Sequence, residues 1–386
     1  MRRIFVIICA LAILVGQASA LTNAPMVEGT PVDLDCASAI LVEMDSGQII
    51  FEQHADDMRP VASVTKVMTI LLALEAVEDG RAAIDDVVTV SKNASGMGGS
   101  QILLDTGETQ TYSQLLKSVI VGSANDSAVA LAEYLYGSEE LFVDYMNERA
   151  DELGMTNTVY VNCTGLPAEG QYTTARDVAM AAREMFSHPL YFEYSTVWLE
   201  DFDHGDGRKT QLTNTNKLTR LYEGCDGGKT GSTDEAGYCF AATAKRAGMR
   251  LIAVVLNAPG STERFDAAAA MFDYGFANYR LYPVAEKGTP VKGGLAVNGG
   301  DADSVPLVID GDLTLLITKG NEQHVELKPS LPDYLDAPVV AGQKVGSVDV
   351  LLDERKVASL DIVTADSVTA NGFGHVIKRI LGLWVI

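Results

Sequence analysis

The sequence predicts an α/β fold: an antiparallel sheet with a helical subdomain, then a small all-β domain and a terminal amphipathic helix. Three observations carry this expectation. Apolar residues recur at helical spacing through much of residues 62–186. Residues 225–256 read as three adjacent strands, and near Tyr282-Pro283 the chain turns to short Val, Leu and Ile runs broken by Gly, Asp and Pro. At 386 residues, 47% hydrophobic and 21% charged, the chain is too long for one typical domain and can fill a sizeable core.

Residues 1–20 have the three parts of a secretory signal: Arg2 and Arg3, the apolar run Ile4 to Val15, and the small residues Ala18-Ser19-Ala20. The run is short for a membrane span, so cleavage after Ala20 and export are expected. Residues 21–32 are polar and unpatterned, as in a linker. A first domain then covers residues 33–281. Ala37 to Phe51 reads as two strands joined at Asp45-Ser46-Gly47. After Pro60, the residues Val67, Met68, Ile70, Leu71, Leu72, Leu74 and Ala76 predict a helix that starts near Ala62 and ends by Gly80. Gly96, Gly98 and Gly99 suit a loop.

Thr111 to Val121 has helical spacing, interrupted at Gly122-Ser123-Ala124-Asn125-Asp126 and resumed from about Ser127 to Leu135. Further helices are expected over Glu139 to Leu153, over Thr174 to Phe186 with a Thr174-x-x-Asp177 cap, and over Ser261 to Tyr279. Cys225 to Thr230, Gly237 to Thr243 and Leu251 to Leu256 are the late strands. Residues 282–368 form a β-sandwich-like domain, its clearest strands at Leu315 to Thr318, Val325 to Leu327, Val348 to Leu352 and Ala358 to Val363. In residues 369–386, Phe373, Val376, Ile377, Ile380, Leu381 and Trp384 share one side, opposite His375, Lys378 and Arg379. That pattern suits a helix lying in a membrane interface, or one docked on its own β domain.

The formal charge is −23, and −25 once Arg2 and Arg3 leave with the leader. So acidic a chain, without a basic stripe, is not a nucleic-acid binder. Cys36, Cys163, Cys225 and Cys239 remain after the leader, an even number that permits disulfides in three connectivities or four free thiols. A cross-strand bridge between Cys225 and Cys239 is conceivable. No close Cys-x-x-Cys pair marks a zinc or redox site.

The chemistry is narrowed first by exclusion. The histidines are His54, His188, His204, His324 and His375, and neither H-E-x-x-H, G-x-S-x-G nor a phosphate-binding loop motif occurs. A serine enzyme here needs a base other than histidine. Ser63 and Lys66 supply one: three residues apart at a helix start, they share a face, and a buried lysine can be neutral enough to take the serine proton. Ser123 and Asn125 lie in a break between helices, where a hydroxyl can relay a proton and an amide can hold a peptide group. Lys229, Thr230, Gly231 and Ser232 lie on an expected strand, where a cation and a hydroxyl suit a carboxylate and Gly231 permits close approach to the backbone. Taken singly, each pattern also fits an ordinary cap or an exposed lysine.

Together and in this order, Ser63-x-x-Lys66, Ser123-x-Asn125 and Lys229-Thr230-Gly231 are the motifs of penicillin-binding proteins and serine β-lactamases. The chain resembles the low-molecular-mass D-alanyl-D-alanine carboxypeptidases from about Cys36 to Tyr279. The match includes Ala62-Ser63-Val64-Thr65-Lys66-Val67-Met68-Thr69, Asn162-Cys163-Thr164-Gly165-Leu166, Tyr172-Thr173-Thr174-Ala175-Arg176-Asp177 and Asp226-Gly227-Gly228-Lys229-Thr230-Gly231. The resemblance implies a β-lactamase/transpeptidase-like domain. It also implies Ser63 as nucleophile and Lys66 as its base, with Ser123 and Lys229 moving protons. Asn125, Lys229, Thr230, Gly231 and Ser232 would bind a peptidoglycan stem peptide ending in D-Ala-D-Ala. Oxyanion donors at the Ser63 and Ser232 N–H groups, covalent inhibition by β-lactams, and no metal or cofactor belong to the same expectation. The family plan also places the terminal helix on the outer face of the cytoplasmic membrane. The rivals are a β-lactamase, a D,D-endopeptidase, or a non-catalytic wall-binding or β-lactam-sensing protein of the same fold. Ser123-Ala124-Asn125 departs from the Ser-Asp-Asn of class A β-lactamases.

Overall fold

Strands far apart in the sequence join into one six-stranded sheet, ordered Thr22–Asn23, Gln48–Gln53, Ser38–Glu43, Met249–Ala258, Gly237–Arg246 and Cys225–Thr233. Its pairs are antiparallel except the first, which is parallel. This computed structural model describes residues 21–24 and 32–372. Ala39, Ile40, Leu41 and Val42 are all fully buried, as are Leu251 to Leu256. An unbroken apolar run of this length is what a strand covered on both faces requires. The expected linker is partly strand. Thr22 and Asn23 pair with Gln48 and Ile49, because a sheet edge offers unpaired backbone groups that even two residues can satisfy. Two residues are too few to carry an alternating pattern.

The Lys66–Glu78 helix is the hub of the first unit. Its residues from Lys66 to Leu74 are buried on every side, as its apolar content demands. Tyr112–Gly122, Asn125–Tyr136 and Glu139–Glu152 pack against it, and so does Ala175–Met185, which also lies on the Met249–Ala258 strand. The helices Tyr112–Gly122 and Asn125–Tyr136 are divided at Ser123, whose φ of 63° is left-handed. The second helix starts at Asn125, two residues earlier than the apolar spacing suggests. The Asn125 N–H donates to Ser100 O at 2.7 Å and Asp126 supplies acidity to the first turn. Asp126 is wholly buried and its carboxylate accepts the N–H groups of Ile102, Leu104 and Ser127, which anchors the glycine-rich loop before it.

The Pro189–Ser195 helix and the Leu199–Asp203/Lys209–Thr213 hairpin are additions to the sequence expectation. The hairpin strands are mostly polar with one buried residue each, Phe202 and Leu212, so they carry little alternation to read. All four described cysteines are free. The Cys225–Cys239 bridge is contradicted by register: Cys225 faces Ala244, and Cys239 faces Gly231.

The second unit begins at Gly275, ahead of the composition change near Tyr282, which falls inside the Tyr279–Ala285 strand. Apart from the end of the Glu263–Asn278 helix and a 3₁₀ turn at Glu322–His324, its described part is β. A four-stranded sheet runs Leu307–Ile309, Arg355–Thr364, Lys344–Leu352, Val325–Ser330. A three-stranded one runs Ser304–Val305, Leu295–Asn298, Tyr334–Asp336, and Tyr279–Ala285 pairs with Leu313–Thr318. Val305, Ile309, Val348 and Ile362 are among its core residues. The leader, residues 1–20, and residues 373–386 of the expected tail helix lie outside the described residues; the helix expected from residue 369 does not begin there, since Ala370 forms an antiparallel bridge with Gly300 and the Asp301 N–H donates to Thr369 O. No described helix is long and apolar enough to cross a membrane.

Candidate active site

Ser63 stands on a single 3₁₀ turn, Ala62–Thr65, that precedes the Lys66–Glu78 helix. The expected helix start near Ala62 is therefore the tighter form, common at helix N-termini. Ala62 has φ 47°, a left-handed conformation that a non-glycine residue holds only under constraint. The Asn162–Leu166 turn supplies that constraint. Gly165, at φ 79°, lies so close to Ala62 O that a Cβ would clash, and Asn162 Oδ1 accepts the Gly165 N–H at 2.7 Å. The same turn holds the lysine: Lys66 Nζ donates to Thr164 O at 2.6 Å and to Ser63 Oγ at 3.0 Å. Thr69 Oγ1 donates to Cys163 O beside it.

Lys66 is fully buried, and burial lowers its pKa to about 7, the nearby Cys163 and Asp126 opposing. An amine in that range is part neutral near pH 7 and can accept a proton.

Ser123 and Lys229 form the second pair. Lys229 Nζ donates to Ser123 Oγ at 2.7 Å and to Thr230 O at 2.8 Å. Lys229 is buried, and its pKa is pushed well below that of an ordinary lysine by burial, with the charges of Lys66 and Arg264 adding to the effect. That Lys66 acts on Lys229 means the two serine–lysine pairs lie near one another. Asn125 joins them at the edge. Its Nδ2 donates to Gly98 O at 2.7 Å, while the buried Oδ1 has no partner and is free to accept an N–H from a bound peptide.

The Cys225–Thr233 strand closes the site. Gly231 lies against the Ser63 turn: a Cβ there would stand 2.6 Å from Val61 O and 2.8 Å from the Ser63 nitrogen. Glycine is thus required by close approach, and it brings the strand alongside the Ser63 N–H. Thr230 is buried, whereas Ser232 is exposed at the strand's outer end. An open cleft of about 610 Å³ adjoins this region, with Pro60, Tyr172, Pro167 and Glu235 in its walls.

Arg264 is the charged group that motif reading missed. Buried, it donates to Gly231 O at 3.1 Å and lies over the Phe265 ring at 4.8 Å. The sequence held a faint signal: a cation in the first turn of the Glu263–Asn278 helix, where the dipole favours acids.

A D-alanyl-D-alanine carboxypeptidase family model matches residues 24–260. The chain belongs to the D-alanyl-D-alanine carboxypeptidase family. As a member it is a serine carboxypeptidase acting on D-Ala-D-Ala, with the fold of the penicillin-binding proteins. Residues 279–370 match the penicillin-binding protein 5 C-terminal domain. D-alanyl-D-alanine carboxypeptidase DacF of Bacillus subtilis is 35% identical over 91% of this chain and 90% of its own. DacA of Escherichia coli is 31% identical over 97% and 93%. Penicillin binding protein 5 from Haemophilus influenzae superposes with TM-score 0.75 at 30% identity, covering 88% of this chain and 99% of that one. Penicillin-binding protein D2 from Listeria monocytogenes, solved in an ampicillin-bound form, gives 0.58 at 32% identity, covering 64% and 100%.

For this carboxypeptidase, Gly231→Val tests the close approach. The side chain must push the strand away from Ser63, and a displacement near 1 Å costs about 10²-fold in rate. Acylation by labelled penicillin should slow by that factor while thermal unfolding shifts only modestly. A normal acylation rate would mean that the strand yields freely.

Proposed function

We propose that this carboxypeptidase trims stem peptides through an acyl-enzyme on Ser63, with Lys66 as general base. The observation that carries the reading is the buried Lys66 Nζ, 3.0 Å from Ser63 Oγ and with a pKa lowered to about 7. Neutral Lys66 takes the Ser63 proton as Oγ bonds to the carbonyl carbon between the two terminal D-alanines. The resulting oxyanion is held by the N–H groups of Ser63 and Ser232. As the C–N bond breaks, the proton held by Lys66 passes through Ser123, which Lys229 orients, to the leaving amine, and Lys66 is neutral again. Water then attacks the ester, Lys66 taking its proton and returning it to Ser63 Oγ as the acyl C–Oγ bond breaks, which restores both residues.

Thr230 and Lys229 receive the terminal carboxylate. Asn125 Oδ1 accepts a peptide N–H, its Nδ2 being engaged with Gly98 O. β-Lactams, which present a strained amide in place of D-Ala-D-Ala, acylate the same oxygen. We further propose export through residues 1–20, and attachment of residues 369–386 to the outer face of the cytoplasmic membrane. The support is the order of charged, apolar and small residues in the leader and the one-sided apolar pattern of the tail.

The test is D-alanine release from a soluble peptide ending in D-Ala-D-Ala, measured beside penicillin hydrolysis. One D-alanine per peptide, with penicillin turned over far more slowly, is expected. Rapid penicillin hydrolysis without D-alanine release would favour the β-lactamase reading. Deletion from Phe373 onward should abolish co-sedimentation with anionic lipid vesicles and leave soluble-peptide turnover intact; retained vesicle binding would remove the tail from the proposal.

A further inference from the structure

Away from the serine–lysine pairs, at the other end of the Lys66–Glu78 helix, Glu75, Glu184 and His188 converge. Each offers a ligand atom, all within 4.8 Å of one another. Glu75 comes from that helix, Glu184 from Ala175–Met185, and His188 from the turn that follows it. Arg149 reaches the same point from Glu139–Glu152, with Nη2 at 2.8 Å from Glu75 and 3.6 Å from Glu184. Its Nη1 rests on Glu152 at 2.9 Å.

The histidine singles this cluster out from ordinary acidic surface. His188 Nδ1 is held at 2.8 Å by Glu78 Oε2, and His188 Nε2 is buried without a partner. His188 as a whole is only 8% exposed. A carboxylate on one ring nitrogen fixes the tautomer with the proton on Nδ1 and leaves a lone pair on Nε2. This carboxylate–histidine relay is the usual outer support of a metal-ligating imidazole. A buried nitrogen lone pair with nothing to accept is costly, and a cation among these three groups would satisfy it.

We propose that Glu75, Glu184 and His188 form a site for a zinc ion, with water as the fourth ligand. One imidazole and two carboxylates suit zinc better than calcium or magnesium, which prefer all-oxygen shells. Zinc–ligand bonds of about 2.0–2.2 Å place ligand atoms roughly 3.3 Å apart, so the three side chains need only close slightly. A cavity of about 280 Å³ lined by Glu75, Glu148, Arg149 and Glu152 opens on the Glu75 side of the cluster. Arg149 is the competitor: its Nε and Nη2 hold Glu75 Oε1 at 3.0 and 2.8 Å and its grip on Glu184 is loose, so a bound ion must displace it from both towards Glu152. The site would clamp helices Lys66–Glu78 and Ala175–Met185 together. Along the first helix Glu75 lies nine residues from Lys66, about 14 Å at 1.5 Å per residue, so the role is structural.

The experiment is zinc titration calorimetry on the whole, chelator-treated chain in detergent, with cobalt absorption and thermal unfolding as further readouts. One tight equivalent is expected, with intense tetrahedral cobalt bands and a rise in Tm. His188→Gln and Glu184→Gln should each weaken binding at least tenfold. Glu78→Gln, which removes only the support of Nδ1, should weaken it about tenfold. Arg149→Gln should tighten it, because a repelling charge is gone. D-Alanine release by each variant reports correct folding. Zinc binding equal in wild type and His188→Gln, or displaced readily by magnesium, would reduce the site to acidic surface and overturn the proposal. Unchanged affinity in Arg149→Gln would do the same.

Discussion

Ser63→Ala should lose D-alanine release and penicillin labelling together, while its unfolding midpoint stays close to that of wild type. The substitution removes one half-buried hydroxyl that accepts from Lys66 Nζ. It leaves the 3₁₀ turn, the Gly165–Ala62 contact and the Gly231 approach in place. Without a nucleophilic oxygen no acyl-enzyme forms. Loss of a nucleophile from a coupled serine site costs roughly 10⁴-fold or more in kcat. Measuring both readouts on one preparation matters, because a misfolded variant would also lose both but would unfold early. Covalent labelling that survives in Ser63→Ala would put the acylated oxygen elsewhere, with Ser123 the first residue to examine by peptide mapping. Turnover that survives with labelling lost would separate peptide hydrolysis from the penicillin site.

The ease with which Ser63 and Lys66 were found in the sequence has a geometric cause. Three residues apart on a helical start, they are neighbours whatever the rest of the chain does. Nothing comparable joins Ser123 to Lys229. Their hydrogen bond spans 106 positions in the chain, so only the matched motifs, not spacing, could bring them together on paper. The family resemblance also marked Asn162–Leu166 without saying what it does. Its work is to present Thr164 O to Lys66 and to bring Gly165 against Ala62. Strong periodicity carried the long helices to within a residue or two, as at Glu139–Glu152. Elements with one buried residue per strand, such as Leu199–Asp203, gave no pattern to read. Arg264 escaped because its hydrogen bonds go to backbone carbonyls, Gly231 O and Cys239 O, which leave no mark in side-chain identity.

Lys66 makes the other large prediction, since its burial acts on rate and on stability at once. Only the neutral amine accepts the Ser63 proton. With the pKa lowered to about 7, kcat/KM for a soluble D-Ala-D-Ala peptide should fall about tenfold per unit below pH 7 and level off above it. Lys66→Arg keeps a proton throughout, so it should lose the plateau as well, by about 10³-fold or more. A profile centred near 10 would mean that an ordinary, charged lysine occupies the site. The stability effect has a definite sign. Between about 7 and 10.5 the unfolded lysine holds a proton that the folded one has released. Stability therefore falls as pH drops through that window, and the loss is complete below about 7. Lys229, lowered in the same sense, adds to it. Lys66→Met removes this penalty while leaving Thr164 O without its donor, at a cost of about 1–3 kcal/mol. Its unfolding free energy should thus exceed that of wild type by a few kcal/mol near pH 7, with the gap closing as pH rises and reversing before 10.5, where only the Thr164 cost remains. Urea unfolding at pH 7 and at pH 9.5 measures both ends. An equal difference at the two would assign the effect to packing and not to proton release. The expected result is a protein made more stable by losing its base, because a neutral amine ready beside Ser63 exists only where water has been excluded from it.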